Sequence, residues 1–108
     1  MTDALQVHTT AETEEDAQTI ARAAVEARLA VCAQVIGPIT STYWWKGEIE
    51  TATEWLCLFK TDRQHYDELE ALIREKHPYE MPEILAMPVV AGSQPYLDWL
   101  AAELTPGP

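Results

Sequence analysis

The tightest constraint on this chain lies in residues 31–61. Residues 31–45 are rich in β-branched and aromatic types, interrupted only by Gly37-Pro38, and after the two-residue turn Lys46-Gly47 residues 48–61 run back as a second strand. Together they predict one long hairpin. Counted from Cys32, its first strand has 14 residues and would reach roughly 46 Å if unbroken. A helix of 18 residues covers only about 27 Å, so the hairpin must outrun any helix laid against it. Pairing Trp45 with Glu48 places Cys57 opposite Ile36 and Cys32 opposite Thr61, and a bulge at Gly37-Pro38 could shift this by one residue. The overhanging tip carries Tyr43, Trp44 and Trp45. Strand side chains alternate, so Trp44 and Trp45 point to opposite faces and one small chain cannot cover both. A second subunit packed on the hairpin is therefore expected, with the sheet continued from one subunit to the next. The alternative is a bent hairpin that folds Trp44 back onto its own helices.

The remaining elements follow from periodicity. Leu5, Val7 and Thr9 share one face of a first strand, with Gln6, His8 and Thr10 on the other. Ala17, Ile20, Ala21, Ala24, Val25 and Arg28 then form a helical stripe, predicting a helix over about 13–30. Thr13 and Asp16 resemble a capping box, and acids crowd the first turn. Asp62 can cap a second helix with an inward stripe of Tyr66, Leu69, Leu72, Ile73 and Lys76, stopped by Pro78. Residues 83–90 read as a last strand, which Pro88 confines to an edge or bulge. Gly92 breaks it, Ser93 caps, and Tyr96, Leu97 and Leu100 start a short helix ending before Thr105-Pro106-Gly107-Pro108. The order βαββαβ plus a C-terminal helix is the ferredoxin-like α+β sandwich, expected here as a single domain over residues 1–108. That architecture serves many functions, so function must come from the residues it displays.

Charge narrows the function. With 7 basic against 18 acidic residues the formal net charge is −11, which disfavours nucleic acid and anionic membranes as partners. The aromatic RNA-binding strand found in some domains of this fold is also absent. No apolar run approaches the ~18 residues of a membrane span, and Met1-Thr2-Asp3 lacks a basic secretory start, so a cytoplasmic protein is expected. Cys32 and Cys57 sit among apolar neighbours and read as buried structural thiols too far apart to bridge.

Nucleotide-loop, nucleophile-elbow, zinc-protease, CxxC and EF-hand motifs are absent, which leaves three histidines and a surplus of carboxylates. His8 and His65 have no chelating neighbour at helical or strand spacing and read as solvated. His77 ends a helix, where the dipole favours a protonated ring, and precedes the loop Pro78-Tyr79-Glu80. Glu48, Glu50 and Glu54 read as an exposed acidic row on the hairpin, with a weaker case for a hard cation. Lys60 is expected to pair with a buried carboxylate such as Glu83. Tyr79, His77 and Glu80 are too close in sequence to make a convincing nucleophile and base, so no enzyme is expected.

Several segments also carry a resemblance. Residues 27–33 (Ala-Arg-Leu-Ala-Val-Cys-Ala), the hairpin segment 39–50 (Ile-Thr-Ser-Thr-Tyr-Trp-Trp-Lys-Gly-Glu-Ile-Glu), His77-Pro78-Tyr79-Glu80-Met81-Pro82-Glu83-Ile84 and Tyr96-Leu97-Asp98-Trp99 resemble, in order, the signatures of the CutA divalent-cation tolerance family. The resemblance implies a homotrimer related in architecture to PII signalling proteins, with the long hairpins around the subunit interfaces. It also implies a link to divalent-metal tolerance, chiefly copper.

Proposed copper ligands in bacterial members are a cysteine near the end of the first strand and two adjacent histidines before Pro-Tyr. Those positions align here with Thr9, Lys76 and His77, and a hydroxyl and an ammonium cannot replace a thiolate and an imidazole. Only His77 is left as a candidate metal residue, so any copper or other divalent cation would be weakly held and would need carboxylates such as Glu80. No other cofactor is implied. Trp45, Lys60, Tyr79 and Glu83, with Tyr43 and Trp44 beside them, are expected at a cleft or interface between subunits. A second reading is a regulatory or scaffold trimer of PII type that binds a protein or small ligand there. In a trimer the charge becomes three times −11, or −33, so assembly should tighten with salt or cations.

Overall fold

The computed structural model describes residues 2–105, so the start at Met1 and the terminal Pro106-Gly107-Pro108 lie outside the described residues. The elements are β1 (Ala4–Ala11), α1 (Glu14–Glu26), β2 (Cys32–Trp45), β3 (Glu48–Asp62), α2 (Tyr66–Lys76), β4 (Leu85–Pro88) and α3 (Gln94–Leu104). They form a mixed α+β structure on one antiparallel sheet in the order β2-β3-β1-β4.

Period-two patterning selects the core. Leu5, Val7, Cys57 and Phe59 meet Ile20, Ala21 and Ala24 of α1 and Leu69 and Ile73 of α2 in one buried cluster. Both long helices therefore cover the same side of the sheet. α3 makes a smaller cluster at the end where β1 begins, through Ala4, Leu100 and Leu104 with Val31, Val89 and Leu97. On the other side, cross-strand partners and alternation align Gln34 and Ile36 of β2, Leu56 and Leu58 of β3, His8 of β1, and Leu85 and Met87 of β4. Among the described residues no helix covers the middle part of this face, where Ile36, Leu85 and Met87 are exposed.

The hairpin overhangs as expected, and the long axis of the molecule measures 48 Å against 27 and 22 Å for the others. Its turn is tight because Lys46 (φ 51°) and Gly47 (φ 83°) both take the left-handed conformation that matches strand twist. Pairing follows the expected register from Trp45↔Glu48 to Ile39↔Glu54. Beyond the bulge at Gly37-Pro38 it slips by one, so that Cys57 faces Val35 and Cys32 faces Lys60. A Cβ on Gly37 would sit 2.3 Å from Cδ1 of Trp55, so the indole fills the space that the bulge opens.

Three boundaries differ from expectation. α1 stops at Glu26, not near residue 30, because Leu29 N–H donates to Ala24 O and Arg28 N–H to Val25 O, with Arg28 at φ 57°. This is a Schellman exit with arginine where glycine is usual, so no residue type announced it. Arg28 Nη1 then donates to the carbonyl and carboxylate of Glu103, at 2.9 and 2.8 Å, tying the exit of α1 to α3. β4 spans four residues rather than eight, since ladder pairing with β1 ends at His8↔Leu85. α2 starts at Tyr66, and Asp62 Oδ1 instead accepts from His65 N–H in the turn before it; Lys76 is exposed rather than inward. Elsewhere the caps are as read: Thr13 accepts from Asp16 N–H at 3.0 Å and Ser93 from Tyr96 N–H at 3.4 Å.

Candidate functional site

An open cleft of about 630 Å³ lies between the hairpin and the loop that joins α2 to β4. β2 supplies Tyr43, Trp44 and Trp45, β3 supplies Glu54, and the loop supplies Tyr79, Glu80 and Glu83. The loop reaches the hairpin because α2 ends at Lys76, the backbone of the capping residue His77 is already extended (φ −77°, ψ 131°), and Pro78 prevents another helical turn.

His77 anchors that loop. It is buried, at 7% exposure, and its Nε2 lies 2.7 Å from the carbonyl oxygen of Thr10. Its Nδ1 accepts the N–H of Tyr79 at 3.1 Å. A carbonyl only accepts, so the proton sits on Nε2 and the ring is the neutral tautomer, unlike the protonated cap expected from the helix dipole. Both nitrogens are committed, and a metal could use this imidazole only by displacing one partner. The ring also packs on Tyr79, with centroids 4.6 Å apart.

Tyr79, positioned in this way, donates its hydroxyl to Glu54 Oε2 at 2.7 Å. Glu54 is 6% exposed, so it does not belong to an exposed acidic row with Glu48 and Glu50. Burial first, then the hydrogen bond and negative charge of Glu54, with smaller effects of Glu12 and Tyr43, push the Tyr79 phenol well above its ordinary value of 10.0. It therefore remains a donor through the neutral range. The pairing was hidden from sequence reading because its partners come from different elements; an acid at a strand position facing an aromatic-Pro loop was the available signal.

The structure gathers Tyr43, Trp44, Trp45, Tyr79 and Glu83 around the cleft and leaves Lys60 out. Lys60 Nζ donates to Gln34 Oε1 at 3.0 Å and does not pair with Glu83. Glu83 is exposed and lies 2.7 Å from His8 Nε2, which gives His8 a partner in the loop before β4. His65 also has one, in Asp62 at 2.7 Å. Cys57 is buried as read, whereas Cys32 is half-buried with Sγ 3.6 Å from the Tyr96 hydroxyl; both thiols are free. At the positions aligned with copper ligands, Thr9 is fully buried with Oγ1 unpartnered among the described residues, and Lys76 is exposed. Among the described residues no group of three or more His, Cys, Asp or Glu is arranged to hold a metal, and no helix is long and apolar enough to cross a membrane.

A ferredoxin-like sheet with an overhanging hairpin and a Pro-Tyr loop clasping it defines a narrow class of small α+β proteins. Residues 5–103 match the family model described as CutA1 divalent ion tolerance protein, and the chain belongs to that family. It is 44% identical over 91 residues to the divalent-cation tolerance protein CutA of Thermus thermophilus, covering 84% of this chain and 88% of that one. Human protein CutA is 46% identical over 91 residues, but the match spans only 51% of its length. The crystal structure of CutA from Xylella fastidiosa superposes with a TM-score of 0.92 at 34% identity, over 95% of this chain and 99% of the other.

Proposed function

We propose that this chain forms a homotrimer that acts in the response to divalent cations, with the Tyr79–Glu54 cleft as its ligand-facing site. The observation that carries this reading is the helix-free middle of the sheet, where Ile36, Leu85 and Met87 are exposed beside half-buried Leu56 and Leu58. An apolar surface of this kind calls for a cover. A second copy is a suitable one, because β2 and β4 are the two open edges of the same sheet and pairing between unlike edges generates a ring where the rotation closes. The overhanging hairpin, with Trp44 at 72% exposure, extends that contact beyond the body of one subunit.

Divalent-cation tolerance is what the relatives' names carry, and the net charge of −11 suits a role with cations. Copper or another divalent cation is proposed to bind weakly, on carboxylates, with His77 contributing only if it releases Tyr79 N–H. No catalytic step is proposed. A regulatory or scaffold trimer of PII type is the second reading, favoured by the exposed apolar residues at the hairpin tip, Trp44 and Ile49. Native mass spectrometry of the demetallated protein should give three times 12.1 kDa, and a monomer would overturn the assembly. Calorimetric titration with copper and zinc tests the cation role. An absence of binding tighter than about millimolar would leave the scaffold reading.

A further inference from the structure

The cleft has a chemistry that a metal response does not absorb. Its 630 Å³ lies within the ~300–1,000 Å³ typical of small-molecule sites. Its described lining includes three carboxylates, Glu54, Glu80 and Glu83, beside the aromatic side chains Tyr43, Trp44 and Trp45, and no lysine, arginine or histidine.

Two features distinguish it from an ordinary acidic surface. Glu54 is buried and held on one side, through Oε2, by the Tyr79 hydroxyl. Its Oε1 has no hydrogen-bond partner among the described residues, and the residue lines the cleft. Trp45, for its part, already attracts an ammonium: Nζ of Lys46 lies 5.6 Å from the ring centroid. A hard divalent ion needs roughly six converging oxygen ligands, and among the described residues no such carboxylate group converges. Dispersed carboxylates beside aromatic faces suit a different cation, one with spread charge, several N–H donors and a body that lies against rings.

We propose that this cleft binds a small organic dication with a guanidinium head, which donates to Glu54 and lies against Tyr43 and Trp45 while its second charge faces Glu80 and Glu83. Glu83 is the weaker acceptor, being shared with His8. The proposal rests on the cleft being the ligand-facing site, and in the proposed trimer its hairpin wall stands beside the neighbouring subunit.

Calorimetry with agmatine on the demetallated full chain tests it. Saturable binding is expected. It should weaken roughly tenfold or more for N-carbamoylputrescine, in which a neutral urea replaces the guanidinium, and for Glu54→Gln and Trp45→Leu. Equal binding of the urea analogue, an unchanged Glu54→Gln variant, or no saturable heat at millimolar agmatine would each overturn the proposal. Should Glu54→Gln fail to fold by circular dichroism, Trp45→Leu on the exposed hairpin decides alone. The copper and zinc titrations are scored separately, so agmatine binding without metal binding rejects the cation-response reading and leaves this one standing.

Discussion

Tyr79 and Glu54 lie 25 residues apart in sequence and share a hydrogen bond of 2.7 Å. Tyr79→Phe would leave a buried carboxylate without its donor, a loss of about 1–3 kcal/mol. Urea denaturation of the variant should show it, and an unchanged midpoint would place Glu54 in water. A second expectation concerns alkaline pH. Burial pushes the Cys57 thiol from its ordinary 9.0 up to about 12. Such a group ionises more easily in the unfolded chain, so the stability linked to it is intact below pH 9.0 and lost as pH rises towards 12. Tyr79 acts in the same direction above its ordinary 10.0. The urea midpoint should therefore fall across this window, and less steeply in Cys57→Ala. Of the residues at the site, the hairpin aromatics were legible in sequence because alternation alone exposes them. Glu54 was not, because its burial depends on a loop carried there by α2. His77 was legible as a helix end, whereas its tautomer depends on Thr10, 67 positions away.

Among the elements, the hairpin was read almost to the residue, since a two-residue turn and a β-branched run broken only at Gly37-Pro38 leave one pairing up to the bulge. The register beyond the bulge was legible only as a permitted slip of one. Its cause is a tertiary contact, the Trp55 indole in the space above Gly37. Gly37→Ala should displace that ring and cost about 1–3 kcal/mol, as overpacking does. The near-ultraviolet dichroism of Trp55 should change with it. Combining the change with Trp55→Ala should cost less than the two changes added, because both act on one contact. The end of α1 was misread for the opposite reason. Arg28 is a good helix former, and only the backbone bonds of Ala24 and Val25 reveal that the chain turns there.

For the whole molecule, fold and family were legible because patterning and motifs run the length of the chain, whereas the use of the charges was not. Among the described residues Arg22 pairs with Glu26, Arg28 with Glu103 and Arg74 with Glu70, and with 18 acidic against 7 basic residues most of the acid excess stays uncompensated. Bringing copies together then works against like charge, which screens over about 10 Å at 0.1 M salt. Dilution of the assembly should accordingly show tighter association at 0.3 M than at ~0.02 M sodium chloride by sedimentation. The reverse trend would mean that ion pairs hold the subunits. The two edges of the sheet carry one more consequence. In the proposed trimer a long edge, β2, and a short one, β4, would make each copy a donor on one side and an acceptor on the other. A copy with one edge blocked, for example by a further proline beside Pro88 in β4, could still be recruited through the other. It would end the ring it joined, so a single damaged edge would disable its intact neighbours as well as itself.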